Sequence, residues 1–352
     1  MAVYALWNNK GGVGKSYLTF QVACEYARTH RDQNVLVIDL CPQANASSML
    51  LGGIIEGERL LTEFSTKTPR RTIAGYIDER VISPYTNPAV GSRYVSRPAD
   101  FNTNVPDNLY LIVGDEQLEV QTSRVAHAAS GGPSDGWRIV HQWISDLIAD
   151  VRQSWDVRDC AVFLDCNPSF TVYTELAMSA ADRLIIPFSA DGSSKRAVRA
   201  VLSLLYGITR TRGSTQSEFF LKSNQFRMST PKIYSYVGNR LTQMSLDSAS
   251  AFKTVVLEIG KEIFDVYRSN PSLFHIHPSS QPVPRNAVEF RRMFQTEIND
   301  ANTASVVSGG LGIPISVLSA GYKNLAGKRV QVNQSQINRQ GPNMRKFVQT
   351  IE

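Results

Sequence analysis

Val3 to Ser16 reads VYALWNNKGGVGKS, a short apolar run that breaks into a glycine-rich loop ending in Lys15 and Ser16. A strand followed by such a loop and then by a helix is the sequence form of a phosphate cradle. Gly11, Gly12 and Gly14 carry no Cβ, so the backbone around Val13 can turn its N–H groups inward on an anion. The helix that follows, with Tyr17 in its first turn, adds its N-terminal partial positive charge to the same place. In this pattern Lys15 reaches the β- and γ-phosphates and the Ser16 hydroxyl ligates magnesium, which makes ATP and Mg2+ the expected cofactors.

Working outward, Tyr17 to His30 places Leu18, Val22 and Tyr26 at helical spacing, and Asn34 to Ile38 is a buried strand that ends at Asp39. Strand, helix and strand within forty residues form a βαβ unit, which puts a ligand at the carboxyl ends of the strands. The expected fold is therefore α/β, a doubly wound and mainly parallel sheet. Further strands are expected at Leu109 to Val113, Cys160 to Asp165, Arg183 to Pro187 and Ile233 to Asn239. CAVFLD ends in an acid, so Asp165 can hold magnesium opposite Ser16. Trp137 to Trp155 carries a broad apolar stripe and reads as one amphipathic helix after a flexible SGGPSDG linker. Residues 51–108 show faint periodicity, with a short helix expected around Thr72 to Arg80.

The loop holds a second lysine, Lys10, and KGGVGKS resembles the deviant Walker A motif of the ParA/MinD family of dimeric ATPases. The resemblance implies an ATP-dependent homodimer in which Lys10 acts in trans on the partner's nucleotide, as an arginine finger does. Asp39-Leu-Cys-Pro-Gln-Ala-Asn-Ala-Ser47 is similar to the family's second signature: Asp39, Pro42, Gln43 and Asn45 fit, but Cys41 stands where an aspartate is expected. That aspartate is the one the family links to the attacking water. A thiol beside phosphate charge stays neutral and accepts a proton poorly, so slow ATP hydrolysis is expected, with Lys10, Lys15 and Asp39 as the catalytic set. Cys166-Asn-Pro-Ser169 resembles the family's switch segment, and QPVPRN at 281–286 resembles the loop after its last core strand. By the same resemblance Asn239, Pro284 and Arg285 are candidates for the adenine pocket. The resemblance runs from Val3 to about Leu325. It leaves out insertions at 51–108 and 210–232 and a basic polar tail over 326–352, of which Gln331 to Gln340 reads as poorly ordered.

The chain has 352 residues, 42% hydrophobic and 19% charged, which describes an ordinary globular protein that fits one large domain or two smaller ones. No apolar run is long enough to span a bilayer, and MAVYALW passes straight into the loop without a leader pattern, so a cytoplasmic location is expected. Cys24, Cys41, Cys160 and Cys166 show no Cys-x-x-Cys spacing and give no support to a zinc or iron–sulfur site.

The net charge of +6 is unevenly spread. Partition ATPases of the resembled family bind DNA non-specifically through C-terminal basic residues, which implies Arg196, Arg199, Arg210, Arg212, Lys222 and Arg227 as phosphate contacts. A solvated basic face is the plainer alternative. Six more cations follow Gly321 with no acid before Glu352 and would add to such a surface. Met344, Phe347, Val348 and Ile351 fall at helical spacing, as in the membrane-targeting helix of the cell-division branch, although such an end more often packs on its own protein. The leading expectation is a partition or positioning ATPase with a ParB-like stimulating partner. The alternatives are a weakly hydrolysing ATP-clamped DNA-binding switch and a MinD-like membrane-surface ATPase, with membrane the less favoured partner.

Overall fold

The computed structural model describes residues 2–155, 159–189, 191–209, 215–241, 246–278 and 281–352, with side chains described outside 240–252. Its central sheet is built from β1 (Val3–Leu6), β2 (Asn34–Leu40), β3 (Val95–Ser96), β4 (Leu109–Ile112), β5 (Cys160–Cys166), β6 (Arg183–Phe188), β7 (Lys232–Leu241) and β8 (Gln295–Asn299). The strands lie in the order β3-β4-β2-β5-β1-β6-β7-β8 and are parallel apart from the short edge strand β3. This is the doubly wound, mainly parallel α/β fold expected from the sequence. A small antiparallel hairpin, β9 (Gly321–Leu325) and β10 (Lys328–Val332), stands apart from that sheet.

The helices are α1 (Lys15–Thr29), α2 (Asn45–Leu50), α3 (Gly53–Thr66), α4 (Ile73–Ile82), α5 (Gln117–Ser130), α6 (Gly136–His141) and α7 (Trp143–Gln153) in the first half. The second half adds α8 (Val172–Ala180), α9 (Ser194–Tyr206), α10 (Glu218–Gln225), α11 (Leu246–Ser269), α12 (Ala287–Phe294), α13 (Thr303–Leu311) and α14 (Gln334–Val348). Alternate strand residues feed two cores because side chains leave a strand on opposite faces. Ala5, Leu36, Ile38, Val162 and Leu164 pack under α4 to α9, whereas Tyr4, Leu6, Val35, Val37 and Phe163 pack under α1 and α14.

Five expectations change. The stripe over 137–155 is carried by two helices broken at Gln142, yet Trp137, Val140, Ile144, Leu147 and Val151 all stay buried. Residues 51–108 are no loose excursion: Gly57 of α3 sits so close to the Ser48 carbonyl that an added Cβ would lie 2.2 Å from its oxygen. The boundary expected after Leu325 would cut the β9–β10 hairpin, and the stretch from Gln331 to Gln340 is β-strand and capped helix rather than a disordered tail. Finally, QPVPRN precedes α12 and β8, so it is not the loop after the last strand.

The apolar stripe of α14 is spent inside the molecule. Met344, Phe347 and Val348 are each 1% exposed and Ile351 5%, joined to α1 and the sheet in one core. Among the described residues no helix is long and apolar enough to cross a membrane. Phe347→Ala is expected to lower unfolding stability by about 3 to 5 kcal/mol, read from urea denaturation; an unchanged midpoint would mean the helix end is not packed.

Candidate functional site

The loop between β1 and α1 turns through two left-handed glycines, Gly12 at φ 75° and Gly14 at φ 78°, which any larger side chain would adopt only under strain. Gly14 also caps α1, whose first ladder bond runs from Leu18 N to the Gly14 carbonyl at 2.9 Å, so the N–H groups of Lys15 and Ser16 precede the ladder. A Cβ built at Gly11 or Gly12 meets nothing within 4 Å, so the cradle is open on the side where an anion would enter.

Lys15 is 6% exposed and folds back over the loop, donating to the Lys10 carbonyl at 2.8 Å and the Asn8 carbonyl at 3.4 Å. Burial lowers its pKa, and the neighbouring Asp165 opposes that shift. Asn239, at the exit of β7, donates its Nδ2 to the carbonyls of Val13 and Gly14 at 3.0 and 3.3 Å. The structure thus brings Asn239 to the cradle, with its amide on the loop backbone. Tyr17 contributes its place in the first turn, while its ring is buried and its hydroxyl donates to Gln340 of α14 at 2.7 Å.

Behind the loop stand two fully buried carboxylates. Asp39 and Asp165 are register partners at the tips of the neighbouring strands β2 and β5. Asp39 is tied down by three donors: Cys41 N at 3.1 Å, Ser47 N at 2.9 Å and Ser47 Oγ at 2.8 Å. Ser47 Oγ in turn accepts the Gly114 N–H at 2.9 Å, which locks the start of α2 to the end of β4. Asp165 Oδ1 accepts from Thr19 Oγ1 at 3.3 Å, and nearby Ser16 holds its pKa down, but among the described residues its Oδ2 has no partner. Burial raises the pKa of both, and Asp165 is raised further by the charge of Asp39. Cys41, 4% exposed beside them, has its thiol pushed up to about 12 by burial and then by Asp39, so it is a neutral thiol.

Lys10 lies at the mouth of the cradle, and its Nζ is held within its own chain. It donates to Asp191 Oδ2, to Ser189 Oγ at 3.2 Å and to Ser194 Oγ at 3.5 Å.

Other expected residues are dispersed. Pro284 and Arg285 lie near the opposite edge of the sheet: the Pro284 carbonyl accepts the Tyr267 hydroxyl at 3.1 Å, and Tyr267 packs on Phe274, the residue that bridges Ile233 at the start of β7. What is corrected is the place of this segment in the fold, which comes before α12 and β8 and not after the last strand. Arg199 makes a two-pronged ion pair with Glu262 of α11 at 2.9 and 2.8 Å, and Lys195 meets Glu258 at 2.9 Å, so α9 offers a phosphate little unpaired charge apart from exposed Arg196. Lys222 lies at a cavity beside Trp137 and Phe226, and Arg210 and Arg212 lie outside the described residues. Arg227 follows α10, in a left-handed conformation at φ 52°. Sequence reading gives no role to Ser47, Thr19 or Asp191. Only Thr19 has a local signal, one helical turn beyond Lys15 on the same face.

These features define a P-loop nucleotide-binding protein of the doubly wound type. The chain belongs to the AAA_31 family, an AAA domain whose model matches residues 1–219, and it is of the ParA/MinD type. An uncharacterized protein of Pseudomonas putida is 26% identical over 189 residues, which is 54% of this chain and 56% of that protein, so the chain spans about half the length of the curated relatives it matches. An ATP complex of a McdA variant from Cyanothece superposes with a TM-score of 0.53 at 17% identity, covering 90% of this chain and 89% of that one. The pNOB8 ParA structure gives a TM-score of 0.51 at 17% identity, with 84% and 81% covered.

The raised carboxyl groups carry a pH signature. Folded Asp39 and Asp165 keep their protons to higher pH than unfolded aspartates, so between the unfolded value near 4 and the folded values the native state binds more protons. Stability of the nucleotide-free protein therefore falls as pH rises through that window. Asp165→Asn is expected to flatten the decline in thermal melts taken in EDTA, whereas an unchanged slope would mean that Asp165 is ionised in the fold.

Proposed function

We propose that this chain is a ParA-like ATPase that binds ATP with Mg2+, closes into a homodimer around the nucleotides, and hydrolyses ATP slowly. The observation that carries the reading is the pair Asp39 and Asp165, side by side and buried behind a left-handed glycine loop, with Lys15 close enough to lower the Asp165 pKa. The donor set fits the group it would hold. Among the described residues Asp165 Oδ2 is buried without a partner, Ser16 is close to Asp165, and Lys15 is the cation that offsets this buried carboxyl group. A hard cation held by one carboxylate, one hydroxyl and phosphate oxygens is how magnesium is bound in such sites. Once there, magnesium would neutralise phosphate charge and help polarise the transferred group.

The protein's own groups would divide the remaining work. The loop N–H groups from Gly11 to Gly14 bind phosphate oxygens, and Lys15 exchanges the carbonyls of Lys10 and Asn8 for phosphate. Thr19 and Ser16 orient Asp165, and Ser47 orients Asp39. Lys10 would act across a dimer only after leaving Asp191, so nucleotide binding and dimer closure compete with an internal ion pair. Phosphoryl transfer depends mainly on positioning and charge, so a neutral thiol at Cys41 slows turnover without forbidding it.

A second reading, an ATP-clamped switch that barely hydrolyses, is favoured by the same thiol and by the three donors that occupy Asp39. In either case we propose non-specific DNA as the large partner, supported by the net charge of +6, and a ParB-like protein as the stimulus for hydrolysis. A membrane-surface role is the least supported, because the apolar stripe of α14 is buried.

Lys15→Ala is expected to abolish ATP binding and any ATP-induced doubling of mass, read by calorimetry and size-exclusion with light scattering; tight binding by the variant would remove the assignment. Cys41→Asp is expected to raise ATP turnover by about tenfold or more, measured as phosphate release. An unchanged rate would show that the thiol does not limit hydrolysis.

A further inference from the structure

The C-terminal segment of this protein is purely cationic. From Ala301 to Ile351 the sequence holds six cations, Lys323, Lys328, Arg329, Arg339, Arg345 and Lys346, and no acid; the remaining 31 Lys and Arg are matched by all 31 Asp and Glu. Lys195 to Lys232 is also rich in cations, but it holds an acid, Glu218, whereas this segment holds none. Three of those cations sit on the β9–β10 hairpin. Among the described residues none of the six forms an ion pair, whereas Lys195 and Arg199 of α9 are paired with Glu258 and Glu262.

The hairpin is built to be presented. Ala326 and Gly327, at φ 48° and 80°, form the tight turn whose twist matches the strands. Five residues a side give a ribbon about 17 Å long. Its inner face is committed to packing: Val332 is buried with Ala304, Val307 and Ile337, and Leu325 and Val330 pack against the same cluster. Its outer face carries Tyr322, Asn324, Arg329 and Gln331 in register, all exposed. The Arg329 guanidinium lies 3.9 Å from the centroid of the Tyr322 ring, a cation–π contact on the outer face.

We propose that the β9–β10 ribbon is the surface that contacts duplex nucleic acid. The proposal rests on the DNA-binding reading above and assigns that role to residues other than α9. An arginine without an ion pair beside hydrogen-bonding Asn324 and Gln331, with exposed Lys328 next to it at the turn, is the chemistry of phosphate and groove contact, and a two-stranded ribbon fits the major groove. An anionic bilayer is the weaker occupant. It rewards exposed apolar side chains beside the cations, and here Leu325, Val330 and the α14 stripe all pack into the protein.

The test is binding of a fluorescein-labelled mixed-sequence duplex, with ATP and Mg2+, over a salt series. Lys328→Ala with Arg329→Ala is expected to weaken binding by about tenfold or more and to reduce the salt slope by about two, with the thermal melt unchanged. Tyr322→Ala is a second, independent lesion expected to weaken binding by a smaller factor. Arg196→Ala serves as the α9 comparison and is expected to leave affinity nearly unchanged. Equal binding by wild type and the double variant overturns the assignment of the ribbon, as does a loss caused by Arg196→Ala alone. Failure of the wild type to bind duplex at low salt overturns the DNA-binding reading, and the ribbon proposal with it. Retained duplex binding with lost binding to phosphatidylserine vesicles would transfer the ribbon to a lipid partner and overturn the proposal.

Discussion

The register that places Asp39 of β2 against Asp165 of β5 is the constraint on which the site depends. Two carboxylates at adjacent strand tips, both fully buried, repel each other and lose their hydration, so the apo fold carries a local electrostatic cost. Lys15 answers part of it, and Ser47 and Thr19 answer more through hydrogen bonds. Among the described residues nothing answers Asp165 Oδ2. A fold that keeps such an oxygen dry and unpaired has a position prepared for a positive group, which is the usual structural sign of a site rather than of a core.

Around that pair the chain is cross-linked over long sequence distances. Asn239 ties the loop to β7, and Gly114 ties β4 to Ser47, which holds Asp39. Tyr17 joins α1 to Gln340 of α14, and Gln21 of α1 bonds both Ser308 Oγ and Ile315 N. The loop therefore sits on a helix braced by α13 and α14, so disturbance of the C-terminal segment reaches the cradle through packed helices and two buried amides.

The parts of the site that are legible in sequence are those whose chemistry is local. Three glycines, two lysines and a serine within a few residues define the cradle, and an acid at the end of an apolar strand defines Asp165. The parts that are not legible depend on distance. Asp191 holds Lys10 from 181 residues away, and Glu262 neutralises Arg199 from 63. The segment 281–286 is misplaced by sequence reading because β8, QTEIN, has a single buried apolar residue, Ile298, and so carries no strand signal. The Gln- and Asn-rich composition of 331–340 hides Val332 and Ile337, the two side chains that anchor it.

The separation of charge has a consequence for how the molecule travels. A body with an acid-free cationic handle in one place carries a dipole as well as a net charge, and a dipole experiences torque. In the field of a long polyanion it would rotate until the handle leads, within the roughly 8 Å over which physiological salt lets that field act. Orientation would then be selected before contact, leaving the opposite side of the molecule outward for whatever arrives second.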